Sequence, residues 1–82
     1  MKLFLTDLAS KQKKQLSKIE QRKIDRKIVY LESNPFLGKK LAGQYKEIRT
    51  IRAWPYRIFY YINYSKKEIW IVSILHRQGA YN

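Results

Sequence analysis

The hydrophobic period of this chain changes at Asn34-Pro35, and that change bounds what it can fold into. Before it, Leu5, Leu8, Ala9, Gln12, Leu16 and Ile19 fall at helical spacing, followed by Ile24, Ile28 and Leu31. After it come three runs rich in β-branched and aromatic residues: Tyr45–Trp54, Tyr56–Tyr64 and Glu68–Leu75. A residue preceding proline is biased away from helical angles, so the helical half ends at this dipeptide. Helices and strands are thus segregated along the chain, which predicts an α+β fold. At 82 residues, positions 1–82 are expected to form one domain.

Local signals place the elements. Met1 to Leu5 is short and apolar, compatible with an edge strand. Thr6 or Asp7 can cap the helix that follows. Ser17 offers a second cap, and Glu20 three positions on completes a capping-box pattern. The second helix is predicted from about Lys18 to Glu32, with Arg22, Lys23, Arg26 and Lys27 mostly outside its apolar stripe. Residues 35–44 read as a loop punctuated by Gly38 and Gly43. Trp54-Pro55 makes a tight junction, because proline presets a turn angle and cannot donate in a ladder. Ser65-Lys66-Lys67 is a short polar turn, and short turns favour antiparallel neighbours. The expected order is β-α-α-β-β-β: a short N-terminal strand, a two-helix hairpin and a three-stranded antiparallel sheet. Helices cover one sheet face and the other stays open.

Strand alternation then sorts the side chains. Arg49 is expected beside Ile51, and Arg52 beside Ile48, Thr50 and Trp54. Arg57, Phe59 and Tyr61 should oppose Tyr56, Ile58, Tyr60 and Ile62. In the last run, Trp70, Val72 and Ile74 should oppose Ile69, Ile71, Ser73 and Leu75. Burying an unpaired guanidinium is costly, so at least one arginine set should line a cleft on the open side.

The charge balance says what that cleft would meet. Eighteen Lys+Arg against six Asp+Glu give +12. Such imbalance destabilises a compact state by self-repulsion and points to a polyanionic partner. There are no cysteines and one histidine, too few for a thiolate or histidine metal site. No apolar run approaches the roughly 20 residues that cross a bilayer. A cytoplasmic protein without metal, small-molecule cofactor or membrane partner is expected. Lys11, Lys14, Lys46, Arg49 and His76 are candidate contacts to such a polyanion, RNA among them. A lysine run such as Lys11–Lys18 also reads as a solvated helix face, and His76 as a packing residue.

Four fragments in order carry a family resemblance. Leu16 through Ile24, Ile28 and Leu31 to Asn34-Pro35 is similar to a helical hairpin with an Asn-Pro break. Leu41-x-Gly43 with Ile48-Arg49-Thr50-Ile51-Arg52, then Tyr56-Arg57-Ile58-Phe59-Tyr60, then His76-Arg77 and Tyr81, complete the pattern. Together they resemble the RelE/ParE superfamily of toxins from type II toxin–antitoxin systems, over nearly the whole chain. The RelE-like branch, which cuts messenger RNA on the ribosome, is the nearer likeness; another branch inhibits DNA gyrase.

The resemblance implies roles. Arg57 would grip the scissile phosphate, Arg77 would stabilise charge near the leaving oxygen, and Tyr81 would stack on a base or help move a proton. Arg52 would assist at a basic position, whereas Thr50 stands where well-known members carry lysine. Trp54-Pro55 replaces the usual Gly-Asp before Tyr-Arg, a change expected to be neutral. The resemblance further implies a metal-independent endoribonuclease that inhibits translation, with ribosome and messenger RNA as targets and an acidic antitoxin covering the basic cleft. The alternatives are a gyrase inhibitor using the arginines as contacts, or an inactive nucleic-acid- or antitoxin-binding member.

Overall fold

A computed structural model describes residues 1–45 and 47–77. The expectations for Lys46 and Tyr81 fall outside the described residues. The element order is β1 (Lys2–Leu5), α1 (Asp7–Lys14), α2 (Lys18–Ser33), β2 (Lys39–Lys40), β3 (Arg49–Ala53), β4 (Tyr56–Asn63) and β5 (Glu68–His76), with a 3-10 turn at Gly43–Tyr45. No helix among the described residues is long and apolar enough to cross a membrane.

Both helix starts form as their capping signals predict. The Thr6 hydroxyl accepts from the Ala9 amide at 3.2 Å. Ser17 and Glu20 satisfy each other's backbone amides in a reciprocal capping box, removing orphan donors from the first turn of α2. The stripe of α2 is buried as expected at Ile24, Ile28 and Leu31. The stripe drawn through α1 is less complete. Ala9 is buried and Leu5 and Leu16 pack against the core, but Leu8 and Ile19 are exposed. The helix stops at Lys14, and the cap at Ser17 restarts the helical phase, which turns Ile19 outward.

The sheet is larger than three antiparallel strands. It has five, in the order β1-β5-β4-β3-β2. β3, β4 and β5 are antiparallel neighbours. β1 runs parallel to β5, with Leu3 opposite Ile69 and Leu5 opposite Ile71. β2 adds two residues to the far edge, inside the segment expected to be a loop: Lys39 opposite Thr50 and Lys40 opposite Arg49. Beyond β1, the rim of β5 is closed by side chains: the Thr6 hydroxyl donates to the Val72 carbonyl, and the Gln12 amide oxygen accepts from the Ile74 N–H at 2.7 Å. Covering an edge this way removes a template for pairing with other chains.

Strict alternation fails once. Phe59 pairs with Ser73 but Tyr60 pairs with Ile71, leaving Val72 as an extra residue. This bulge shifts the parity of β5. Ile74 therefore joins Ile69 and Ile71 in the core rather than sitting with Trp70. Trp70 faces away and stacks on Phe4 at 4.9 Å.

The loop after α2 is tied down from the core. The buried Tyr60 hydroxyl accepts from the Gly38 amide at 2.8 Å and donates to the Pro35 carbonyl at 2.8 Å. A Cβ at Gly38 would lie 2.6 Å from that hydroxyl, so glycine permits the approach. Burial pushes the Tyr60 phenol above its ordinary pKa, keeping the proton that makes the second bond. Tyr60→Phe is expected to cost about 1–3 kcal/mol, because it strands a buried donor and acceptor. Urea melts measure this, and an unchanged midpoint would show that the loop is anchored elsewhere.

Candidate functional site

Three of the four residues expected to have catalytic roles converge. Arg52 and Arg57 are direct cross-strand partners on β3 and β4, so their side chains leave the same, open face. Arg77 follows β5, and its backbone N–H donates to the Pro55 carbonyl at 2.8 Å. That bond brings the end of β5 to the β3–β4 turn. Arg52, Arg57 and Arg77 then line one hollow of about 170 Å3 with Trp54 and Tyr56. Like charges placed directly opposite across strands destabilise a sheet, and a bound anion would offset that cost. The fourth residue, Tyr81, lies outside the described residues.

The remaining candidates fall elsewhere. Arg49 is on the helix-side register with Ile51, as alternation predicts. Its guanidinium donates to the Gly38 carbonyl at 2.9 Å and lies 5.2 Å from the Phe36 ring centre. It thus holds the same loop that Tyr60 holds. His76 is exposed at the end of β5, edge-on to Tyr56 at 5.5 Å. Lys11 and Lys14 are exposed on α1 and line none of the hollows around the arginines.

Several neighbours were not among the candidate site residues read from the sequence. Lys39 is opposite Thr50 and shares a second hollow with Lys27, Arg52 and Arg57. The two-residue strand that places it carries no alternation signal. Thr50 itself is buried, and its hydroxyl has no partner among the described residues. Trp54 was expected to be a neutral turn residue, yet the Arg77 guanidinium lies over its ring at 4.8 Å. An exposed tryptophan next to a proline turn was the available signal.

Tyr56 links the site to the helices. Its hydroxyl donates to Glu20 at 2.9 Å. This bond, aided by Ser17, holds the Glu20 carboxyl below its ordinary pKa, against a smaller opposing effect of burial. Burial and then Glu20 push the Tyr56 phenol above its own, so the phenol stays protonated near neutrality and is a poor general base. The Glu20 shift has a consequence for folding. A carboxylate with a depressed folded pKa contributes stability above its unfolded value, near 4.3, and loses it as pH falls through the folded value. Melting temperature should therefore drop as pH goes below about 4, and Glu20→Gln should flatten that drop. An identical pH profile in the variant would remove Glu20 as its source.

The other side of the open face is apolar. Leu41, Tyr45, Ile48, Phe59, Val72 and Leu75 line a groove, adjacent to the arginines because Leu75 is the cross-strand partner of Arg57.

A small basic α+β domain, with arginines gathered at one end of an open sheet face, matches a known class of fold. The family model of the ParE toxin of the type II toxin-antitoxin system, parDE, matches residues 3–81, and the chain belongs to that family. Its fold is similar to the toxin–antitoxin complex RelBE2 from Mycobacterium tuberculosis, with TM-score 0.85 and 20% identity over 93% of this chain and 96% of that one. It is also similar to the isolated E. coli RelE toxin, with TM-score 0.80 and 20% identity over 92% and 82%. A third likeness is the YoeB/ParE toxin from Agrobacterium tumefaciens, with TM-score 0.80 and 19% identity over 93% and 98%. No curated protein sequence matches the chain.

Proposed function

We propose that this toxin cuts messenger RNA on the ribosome and so stops translation. The observation that carries the reading is the convergence of Arg52, Arg57 and Arg77 on one hollow. In the reaction, the 2′-hydroxyl attacks the adjacent phosphorus, the 5′-oxygen of the next nucleotide leaves, and a cyclic phosphate remains. The transition state gathers negative charge on the phosphoryl oxygens. Guanidinium forks meet that charge with two parallel hydrogen bonds each. Arg57, set within β4, serves as the fixed clamp, Arg77 meets the leaving oxygen, and Arg52 assists. Tyr81 stacks on a base or moves a proton.

Guanidinium groups are poor acids and bases. Rate enhancement therefore comes from orientation and preorganised charge, which fits a substrate presented by the ribosome. The cognate partner is an antitoxin whose acidic segment covers the arginines, with apolar side chains in the neighbouring groove. The solved relatives include complexes of RelE with RelB.

The match to a ParE toxin model favours a second reading, a binding protein that inhibits DNA gyrase through the same arginines. Induced expression in cells separates the two. The first reading expects growth arrest with new 5′ ends inside translated messages. Arrest with intact messages and relaxed plasmid DNA supports the second.

A further inference from the structure

The arginine hollow is one of three that adjoin. It shares Arg52 and Arg57 with the hollow containing Lys27, Lys39 and Thr50. It shares Trp54 with a third hollow, lined by Lys23, Arg26, Lys27 and Ala53. Lys27 in turn joins the third to the second. The three wrap the edge of β3 beyond Thr50, which β2 leaves uncovered. No acidic residue is among the lining residues of any of them.

One further feature of this surface calls for a ligand. Trp54 is 61% exposed, a large aromatic ring on the ridge between two basic hollows. Cations that track a backbone, interrupted by an aromatic face, are what single-stranded nucleic acid requires. Phosphates need positive charge, and any unstacked base can lie on a π surface.

We propose that Trp54 is a base-stacking platform between two phosphate-binding hollows, extending the RNA path from the arginines onto the outer face of α2. One nucleotide's phosphate lies among Arg52, Arg57 and Arg77, a base stacks on Trp54, and a following phosphate meets Lys23, Arg26 and Lys27. Arg77, already over the indole, braces the ring from one side. The proposal rests on the reading of RNA as the substrate, but concerns binding rather than cleavage.

The test uses a short single-stranded RNA carrying 2′-O-methyl groups, which cannot be cut by 2′-hydroxyl attack. Trp70→Phe leaves Trp54 as the remaining tryptophan of the two in the chain. In that background the RNA should quench indole fluorescence on binding. Trp54→Ala should bind about tenfold more weakly, and Trp54→Phe should recover most of the loss. The pair Lys23→Ser with Lys27→Ser should weaken binding and flatten its salt dependence while leaving the quench at saturation. Affinity for a folded Trp54→Ala variant within twofold of wild type overturns the proposal. So does an unquenched indole at saturating RNA, a readout that stands even if the alanine variant fails to fold. Quenching by duplex DNA, with none by the single strand, overturns it too. Wild-type protein that binds and quenches but leaves ribosome-bound message intact removes the nuclease reading and leaves the platform standing.

Discussion

Arg57→Ala is expected to slow cleavage of ribosome-bound message by about 10²–10³-fold, as loss of one preorganised donor to a transition-state charge does. The size follows from where the side chain starts. Arg57 is within β4, with a ladder partner on each side, Arg52 on β3 and Leu75 on β5. The sheet sets its direction before substrate arrives, and a fixed donor favours the transition state over the ground state. Arg77→Ala should produce a loss of the same order. Both variants should fold, because neither residue belongs to the core cluster. Single-turnover cleavage and a thermal melt on the same preparations measure the two effects. A rate for Arg57→Ala within threefold of wild type, with the fold intact, would exclude Arg57 as the clamp.

The largest effect on stability is expected from Leu31→Ala. Leu31 is fully buried on α2 against the sheet, beside Ile24 and Ile28. Truncating a buried leucine costs about 2–5 kcal/mol through lost transfer energy and the cavity left behind. A domain of this size has only about 4–12 kcal/mol in total. The melting temperature should fall by at least about 8 °C. Val29→Ala, on the same helix but 64% exposed, should stay within about 0.5 kcal/mol. Equal losses from the two substitutions would mean that the helix is rotated from the register described here.

Much of this was legible because it depends on short-range rules. The Ser17–Glu20 box, the Ile24, Ile28 and Leu31 stripe and the Asn34-Pro35 stop each involve residues within one or two helical turns. Alternation likewise placed Arg57 opposite the buried Ile58 and Tyr60. The rest depends on pairing between distant segments. Nothing in Met1 to Leu5 announces a parallel partnership with β5. Lys39-Lys40 has no strand pattern of its own and becomes a strand because Arg49 and Thr50 lie across from it. The bulge at Val72 is one extra residue inside a mostly apolar run, Ile69 to Leu75, that Ser73 alone interrupts, and no local signal marks it.

The site divides along the same line. Motif order singled out Arg52, Arg57 and Arg77, and the Arg77–Pro55 backbone bond brings them together. The family pattern drew attention to Thr50 as a missing lysine and passed over Trp54 as a turn residue. Both gain meaning only from neighbours distant in sequence: Lys39 across the strand from Thr50, and Arg77 above the Trp54 ring.

The central claim is that the arginine cluster acts on ribosome-bound message. The most direct measurement incubates purified toxin with ribosomes programmed with a defined message and maps 5′ ends by primer extension, while gyrase supercoiling is assayed in parallel with the same protein. The account predicts new 5′ ends within the ribosome-bound message, their loss with Arg57→Ala, and supercoiling at its normal rate. Intact message together with blocked supercoiling would contradict it.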